Sequence, residues 1–305
     1  MSIYTDLACE ARELAPDVPG VTEERESYGD IAVTRIRIED ESAAKKLDKL
    51  RGSYITVDAP GLVERSPELF LSVAKRLSKE LKSLLSGLGQ EASIMVVGLG
   101  NRSVTPDSLG PRVAERIFVT RHIKRFLPDA FDYPICSVAS VAPGVLGSTG
   151  IETLETVKGL TERVRPQTII AVDSLASRRA SRISATVQLS DAGISPGSGV
   201  GNLRAGLNIE SLGVPVIAIG VPLVVHASTI TREVIQHMAE QSGVPAEGET
   251  LSRIADSIAD ERMDDMIVTP KDIDCIVEDM SGIVANAVNM ALFGEKYEEV
   301  RMLVS

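Results

Sequence analysis

A chain of 305 residues with 44% hydrophobic content is long enough to bury a sizeable core, as one large α/β domain or two smaller ones. Its formal net charge of −11 leaves no basic footprint for nucleic acid or an anionic membrane surface, and 3% aromatic content without Trp leaves few platforms for stacked bases. Cys9, Cys136 and Cys275 are odd in number, far apart and without a C-x-x-C pair, which argues against a disulfide framework and a thiolate zinc site.

The opening MSIYTDLACEAREL is charged and has no apolar h-region, so no signal peptide is expected, and no apolar run looks long enough to span a bilayer. These features predict a protein retained in a cytosolic-type compartment. IAVTRIRI (31–38) alternates apolar with polar residues, as a strand with one wet face does, and YITVDAPG (54–61) reads as a second strand ending in a turn. SPELFLSVAKRLSKELKSLLSGLG predicts an amphipathic helix with Ser66 as N-cap and Pro67 at N1, ending at Gly87 or Gly89. A strand over 94–99, a helix from about 108 through 121, a strand over 135–141 and a helix around 152–164 follow. Strands over 168–172, 183–190 and 214–222 come next.

The last third reads as helical: 228–241, then 250–262, joined by the surface connection SGVPAEGE. In VTPKDID, Thr269 is expected as N-cap, Pro270 at N1 and Asp272 at N3 of a final helix whose apolar residues recur from Ile273 to Val288. The alternation predicts an α/β fold with a largely parallel central sheet flanked by helices, phosphorylase- or hydrolase-like, and an additional smaller sheet near the N-terminus.

Two acids stand out within this order. Asp107 follows the run SIMVVGLGN (93–101), and Asp173 ends the run TIIAVD (168–173). Unbroken Val/Ile runs mark strands buried on both faces, and ligands of open α/β sheets bind beyond the carboxyl ends of such strands. Two carboxylates delivered there could share a water, one as base and the other as protonated acid, a division that suits amide hydrolysis. Each has a plainer reading: Asp107 as an acid at a helix N-terminus, Asp173 as the partner of Arg178 or Arg179 at the sheet rim.

PGSGVGN (196–202) is a glycine-rich loop that matches neither G-x-x-x-x-G-K-[ST] nor G-x-G-x-x-G, so a cleft-lining loop is expected rather than a phosphate cradle. Gly193 to Gly197 formally matches G-x-S-x-G around Ser195, with His226 and His237 downstream. A serine hydrolase using Ser195 and His226, and a phosphorylase-like nucleoside- or phosphate-binding protein, are therefore the alternatives. His122 reads as a solvated helix end and His226 as a rim histidine. No local spacing suggests a metal site, and no cofactor is expected.

GLGN-x-x-VTPDSLGP, VDSLASR, SPGSGVGN, LGVPVIAIGVP and VTPKDID occur in one order along nearly the whole chain, and together they resemble the germination protease family of spore-forming bacteria. The resemblance implies an intracellular endopeptidase of aspartic type, with a fold like the hydrogenase-maturation proteases and two essential acids that match Asp107 and Asp173. It implies small acid-soluble spore proteins as substrates, a homotetramer, and a location in the cytoplasm of the forespore and the spore core. It further implies a self-processing zymogen cut after the acid of a Thr-acid-apolar-Ala pattern. Thr5-Asp6-Leu7-Ala8 fits that pattern, which makes residues 1–6 a short propeptide and 7–305 a single protease domain. Asn101, Gly199, Asn202 and His226 are the candidate cleft residues, His226 and Leu203 standing where relatives tend to carry an Asp and a basic residue.

Overall fold

The computed structural model describes residues 5–195, 205–241, 263 and 266–304. The strands are β1 (Val21–Tyr28), β2 (Ile31–Ile38), β3 (Gly52–Asp58), β4 (Ser93–Gly98), β5 (Ser137–Val141), β6 (Thr168–Ala176), β7 (Thr186–Ser190), β8 (Val216–His226) and β9 (Ile267–Val268). The helices are α1 (Ala8–Leu14), α2 (Glu41–Leu47), α3 (Pro67–Leu84), α4 (Leu109–Arg116), α5 (Arg121–Phe126), α6 (Leu146–Thr149), α7 (Thr153–Val164), α8 (Ile209–Leu212), α9 (Ala227–Gln241), α10 (Ile273–Phe293) and α11 (Tyr297–Val304).

The strands join one sheet in the order β1-β2-β3-β7-β8-β6-β4-β5, with β9 added to β8. This is a mixed sheet rather than the largely parallel one expected. Parallel pairing is confined to β5, β4, β6 and β8, while β1, β2, β3 and β7 pair antiparallel. Nor do the early strands form a smaller sheet of their own. Tyr54 to Asp58 pair with Ser190 to Thr186, so β7 splices them onto the parallel half.

One face of the sheet is covered by α3, α4, α10 and α11 over the largest apolar cluster, which includes Leu77, Val96, Ile170, Ile219 and Val284. The other face holds two smaller clusters. One lies under α1 and α2 around Leu7, Ile36, Leu47 and Leu175, the other under α7 and α8 around Met95, Val97, Ile169 and Leu212. Between them the sheet face is left as a cleft.

Several boundaries move for identifiable reasons. The expected helix over 108–121 is two helices, α4 and α5, because Ile117 is extended at φ −74°, ψ 133°. Thr120, just beyond it, donates its hydroxyl to Cys136 O and accepts from Val138 N. β8 runs on through Pro222 to His226; β7 pairs only with residues 218–220, so the missing N–H breaks no ladder there. Ser66 precedes α3 as expected but its side chain makes no cap bond. α10 starts three residues later than expected, after Asp272, and Thr269 donates its hydroxyl to Leu223 O at 3.0 Å instead of capping. The expected helix over 250–262 and its preceding connection lie outside the described residues. The segment Ile273–Val304 is, by length and composition, apolar enough to cross a bilayer, contrary to the sequence reading; in this fold α10 packs on α3 and α4 with Val277, Ile283, Val284 and Val288 buried.

One polar pair anchors the antiparallel half to the helical layer. Glu80 of α3 is 3% exposed and takes both Nε (3.0 Å) and Nη2 (2.7 Å) of Arg35 on β2. Removing one partner of a buried pair leaves an uncompensated charge, at about 3–5 kcal/mol. Arg76 remains 3.6 Å from Glu80, so Arg35→Met is expected at the lower end, about 3 kcal/mol. Urea unfolding checks this, and a loss under about 1 kcal/mol would mean the pair is dispensable.

Candidate active site

β4 ends beside β6, which runs on four residues further, to Ala176. Gly98 is in register with Val172, and Leu99 N donates to Val172 O at 2.8 Å, so the first residue past β4 is still tied to β6. The chain then turns at Gly100, whose φ of 110° an L side chain rarely adopts. A Cβ there would stand 2.1 Å from Asp107 O. The 3₁₀ turn Thr105–Asp107 brings the chain back, and Asp107 Oδ2 accepts from Asn101 N at 2.8 Å. α4 begins immediately afterwards, with Gly110 pressed onto the main chain of Leu99 and Val172.

Asp107 is thereby fixed to the second residue beyond Leu99, and Asp173 is the first residue beyond Val172. The bond between Leu99 and Val172 makes these neighbouring positions. Asp173 is 4% exposed, and its Oδ1 accepts from Ser174 N at 2.9 Å. By strand alternation its side chain shares the face of Ala171 and Leu175, opposite to Ile170 and Val172. Gly220 of β8 lies opposite Asp173 in register, and Gly220, Leu175, Ala218, Gln188 and Ser190 line a neighbouring cavity of about 980 Å³ whose lining includes neither Asp173 nor Asp107.

Thr5 and Asp6 also line that cavity. Asp6 N donates to Ala176 O (3.0 Å), and Asp6 Oδ2 accepts from Ala176 N (2.8 Å). The carboxamide of Gln188 spans the next peptide units, its Nε2 donating to Asp6 O (3.2 Å) and its Oε1 accepting from Ala8 N (2.7 Å). Lys49 Nζ donates to Thr5 O at 2.8 Å. Burial pushes the Lys49 ammonium below the usual lysine range, against the pull of Asp6, Asp48 and Glu10. Leu7 is fully buried beside Leu175, Ile36 and Leu47. Ala176 lies three residues past Asp173, about 10 Å along extended chain.

Sequence reading overlooked Gln188, Lys49 and Glu10, all of which grip this segment. Gln188 had a signal, being the amide inside the apolar strand TVQLS; the other two had none. Glu10 is buried, with Oε2 accepting from Thr5 Oγ1 and from Arg178 N (2.7 Å), and Oε1 accepting from Arg179 N (3.0 Å). Arg182 reaches Glu10, Glu13 and Asp58, and Arg179 pairs with Glu13 at 2.9 Å. Glu10 and Gln188, both buried, and the half-buried Lys49 thus tie residues 5–10 to the chain just past β6, to β7 and to the loop before β3. Cys9 lies among them, its thiol pushed up to about 11 chiefly by burial, which keeps it protonated and unreactive.

Ser195 and His226 are not brought together. Ser190 pairs with Ala218 and Ser195 continues beyond it, near Gly206 and the N-terminal end of β8, whereas His226 closes the C-terminal end of that strand. Ala218 and His226 alone are eight residues apart, about 26 Å of strand. The serine-hydrolase alternative loses its geometry. His226 is buried and in register with Ile267, about 20 Å along β8 from the position facing Asp173. His122 is exposed on α5. Asn101 stands at Asp107, but Gly199 and Asn202, with Leu203, lie outside the described residues. Among the described residues no group of three or more His, Cys, Asp or Glu side chains is placed to hold a metal ion.

The model of the germination protease family matches residues 2–263. A germination protease of Caldanaerobacter subterraneus subsp. tengcongensis is 43% identical over 310 residues, covering 96% of this chain and 94% of the relative. One from Clostridium perfringens is 41% identical, covering 95% of each. One from Bacillus mycoides is 36% identical over 345 residues, covering 95% of this chain and 94% of the relative.

Proposed function

From the premise that this chain belongs to the germination protease family, and so is a peptidase acting in spore germination, we propose that it is an aspartic-type endopeptidase in which Asp107 and Asp173 activate one water. The observation that supports this reading is that Asp107 is tied through Asn101 to the turn just past β4, while Asp173 follows the Val172 whose carbonyl accepts from Leu99 N, each acid with an oxygen fixed by a main-chain amide, from Asn101 and Ser174. Fixing one oxygen of each carboxylate orients the other without cost at the moment of reaction. One carboxylate takes a proton from the water as its oxygen adds to the scissile carbonyl carbon. The other, protonated, gives its proton to the departing nitrogen as the tetrahedral intermediate collapses.

The substrates are small acid-soluble spore proteins inside the germinating spore, read by a Thr-acid-apolar-Ala pattern. An extended segment is accommodated along the cleft beside β6, where Leu175 and its apolar neighbours offer a seat for the residue after the acid. The chain is its own first substrate, cut between Asp6 and Leu7 to remove residues 1–6. In the unprocessed form that bond sits about 10 Å along β6 from Asp173, so processing requires the segment to leave its present register. The active assembly is a homotetramer.

Incubating the full chain with a small acid-soluble spore protein and mapping fragments by mass spectrometry tests the reading. Cuts should fall on the carboxyl side of the acid in Thr-acid-apolar-Ala, and the enzyme's own N-terminus should become Leu7. Cuts scattered over other sequences would contradict the proposed specificity.

A further inference from the structure

Leu7 N donates to Thr5 Oγ1 at 3.2 Å, and Thr5 Oγ1 donates to Glu10 Oε2. A single hydroxyl therefore separates the Leu7 nitrogen from a carboxylate that is 0% exposed. Hydrolysis between Asp6 and Leu7 removes that hydroxyl together with residues 1–6. Glu10 Oε2 then loses a donor at the place where Leu7 becomes an amine. In the reaction the water's oxygen ends on the Asp6 carboxylate and both its hydrogens on the Leu7 nitrogen, giving an ammonium.

Leu7 is 0% exposed while residues 5 and 6 are in place, and once it returns after cleavage to its seat among Leu175, Ile36 and Leu47 its ammonium stands beside an apolar cluster, where an unpaired charge is disfavoured. It also stands at the N-cap of α1, next to the positive end of the helix backbone. The charged groups around it are Lys49 from the loop before β3, Arg182 from the 3₁₀ turn Ala180–Arg182, Asp58 on β3, and Glu10 and Glu13 on α1, with the Cys9 thiol protonated. Arg182 pairs with Glu13 and Asp58 at 2.8 and 3.0 Å and stands farther, at 3.4 Å, from Glu10 Oε1, leaving Oε2 toward Leu7, and Lys49 repels a second cation. Glu10 is the acid within one hydrogen-bond step.

We propose that Glu10 is the receptor for the α-ammonium of Leu7 in the processed chain, the ion pair replacing the lost Thr5 hydroxyl. The inference rests on the reading that processing occurs between Asp6 and Leu7. Glu10 also takes Arg178 N and Arg179 N, two and three residues past the end of the strand that carries Asp173. The pair thus makes Glu10 a positioning residue: the new terminus fixes the end of the catalytic strand in the mature enzyme.

The test uses the chain starting at Leu7, released from a cleavable fusion that leaves no extra residue, beside the same chain acetylated at Leu7. With ¹⁵N in the Leu7 amine, its titration is expected above the ordinary α-amino range of about 7.7–8.0, and back within it for Glu10→Gln. Acetylation is expected to lower peptide cleavage at pH 7 at least tenfold in the otherwise unchanged chain and to make no further difference in E10Q. An amine titrating in the ordinary range together with equal activity of the free and acetylated chains would overturn the assignment. Neither readout on the unsubstituted chain needs E10Q to fold. If the self-processed full chain starts elsewhere than Leu7 by mass spectrometry, the cleavage-site reading fails; ordinary titration in a chain that does start at Leu7 removes the Glu10 receptor alone.

Discussion

Asp107→Asn and Asp173→Asn each reduce peptide cleavage by roughly 10²–10⁴-fold, the range that a positioned acid or base contributes, while the folded state survives. The isosteric amide is the informative choice. An asparagine oxygen can still accept from Asn101 N at position 107 and from Ser174 N at position 173, so the turn and the strand end keep their local bonds. What is lost is the ability to take or hold a proton at the water. Combining the two substitutions is expected to cost little more than either alone, since the groups act as one unit. Substrate and self-processing should fail together in both variants. A variant that folds with its activity within a few-fold of the parent would remove that acid from the reaction.

Gly110→Ala is expected to unfold or severely weaken the protein, by about 3 kcal/mol or more, beyond the usual range for a tight core. The added Cβ would stand 2.2 Å from Leu99 O and 2.5 Å from Val172 O, both main-chain atoms held in or next to the sheet that cannot step aside. Gly98 faces the same contact from the other side, its own Cβ position lying 2.0 Å from Gly110 O. Helix α4 therefore rests on the sheet backbone to backbone, and this close approach holds the Asp107 turn beside Val172 of β6. Gly282→Ala on α10 is the control: nothing lies within 4 Å of that Cβ position and the backbone is helical. It should be neutral or stabilise by about 0.4–1 kcal/mol. Thermal unfolding of the pair checks both, and a G110A chain as stable as G282A would contradict the packing described.

Much of this architecture was legible because apolar runs reveal buried strands. β4, β6 and β8 were all found from unbroken Val/Ile stretches, and Asp107 and Asp173 were singled out as acids following such runs, although β6 continues past Asp173 to Ala176. Strand direction was not legible. TVQLS reads as a strand either way, and only the pairing of Tyr54 with Ser190, 136 residues apart, makes β7 antiparallel and joins the two halves into one sheet. β1 escaped because VTEERESY has almost no apolar residue to alternate. It is an edge strand whose charges keep other chains from adding to it, and its only signal was the two-residue Gly29-Asp30 turn into β2. The grip on the N-terminal segment was likewise hidden. Gln188 and Arg178 meet Asp6, Ala8 and Glu10 across some 170 to 180 residues of sequence, through single hydrogen bonds that leave no periodic trace.

The most direct test of the paired-acid mechanism is a high-resolution crystal structure of the chain from Leu7 onward, bound to a Thr-Glu-Leu-Ala peptide whose scissile amide is replaced by a hydroxyethylene group. The hydroxyl, standing where the attacking water oxygen would be, is expected within hydrogen-bond distance of carboxylate oxygens from both Asp107 and Asp173. A hydroxyl held by only one of them, or seated away from the end of β4 and Asp173 of β6, would contradict the account.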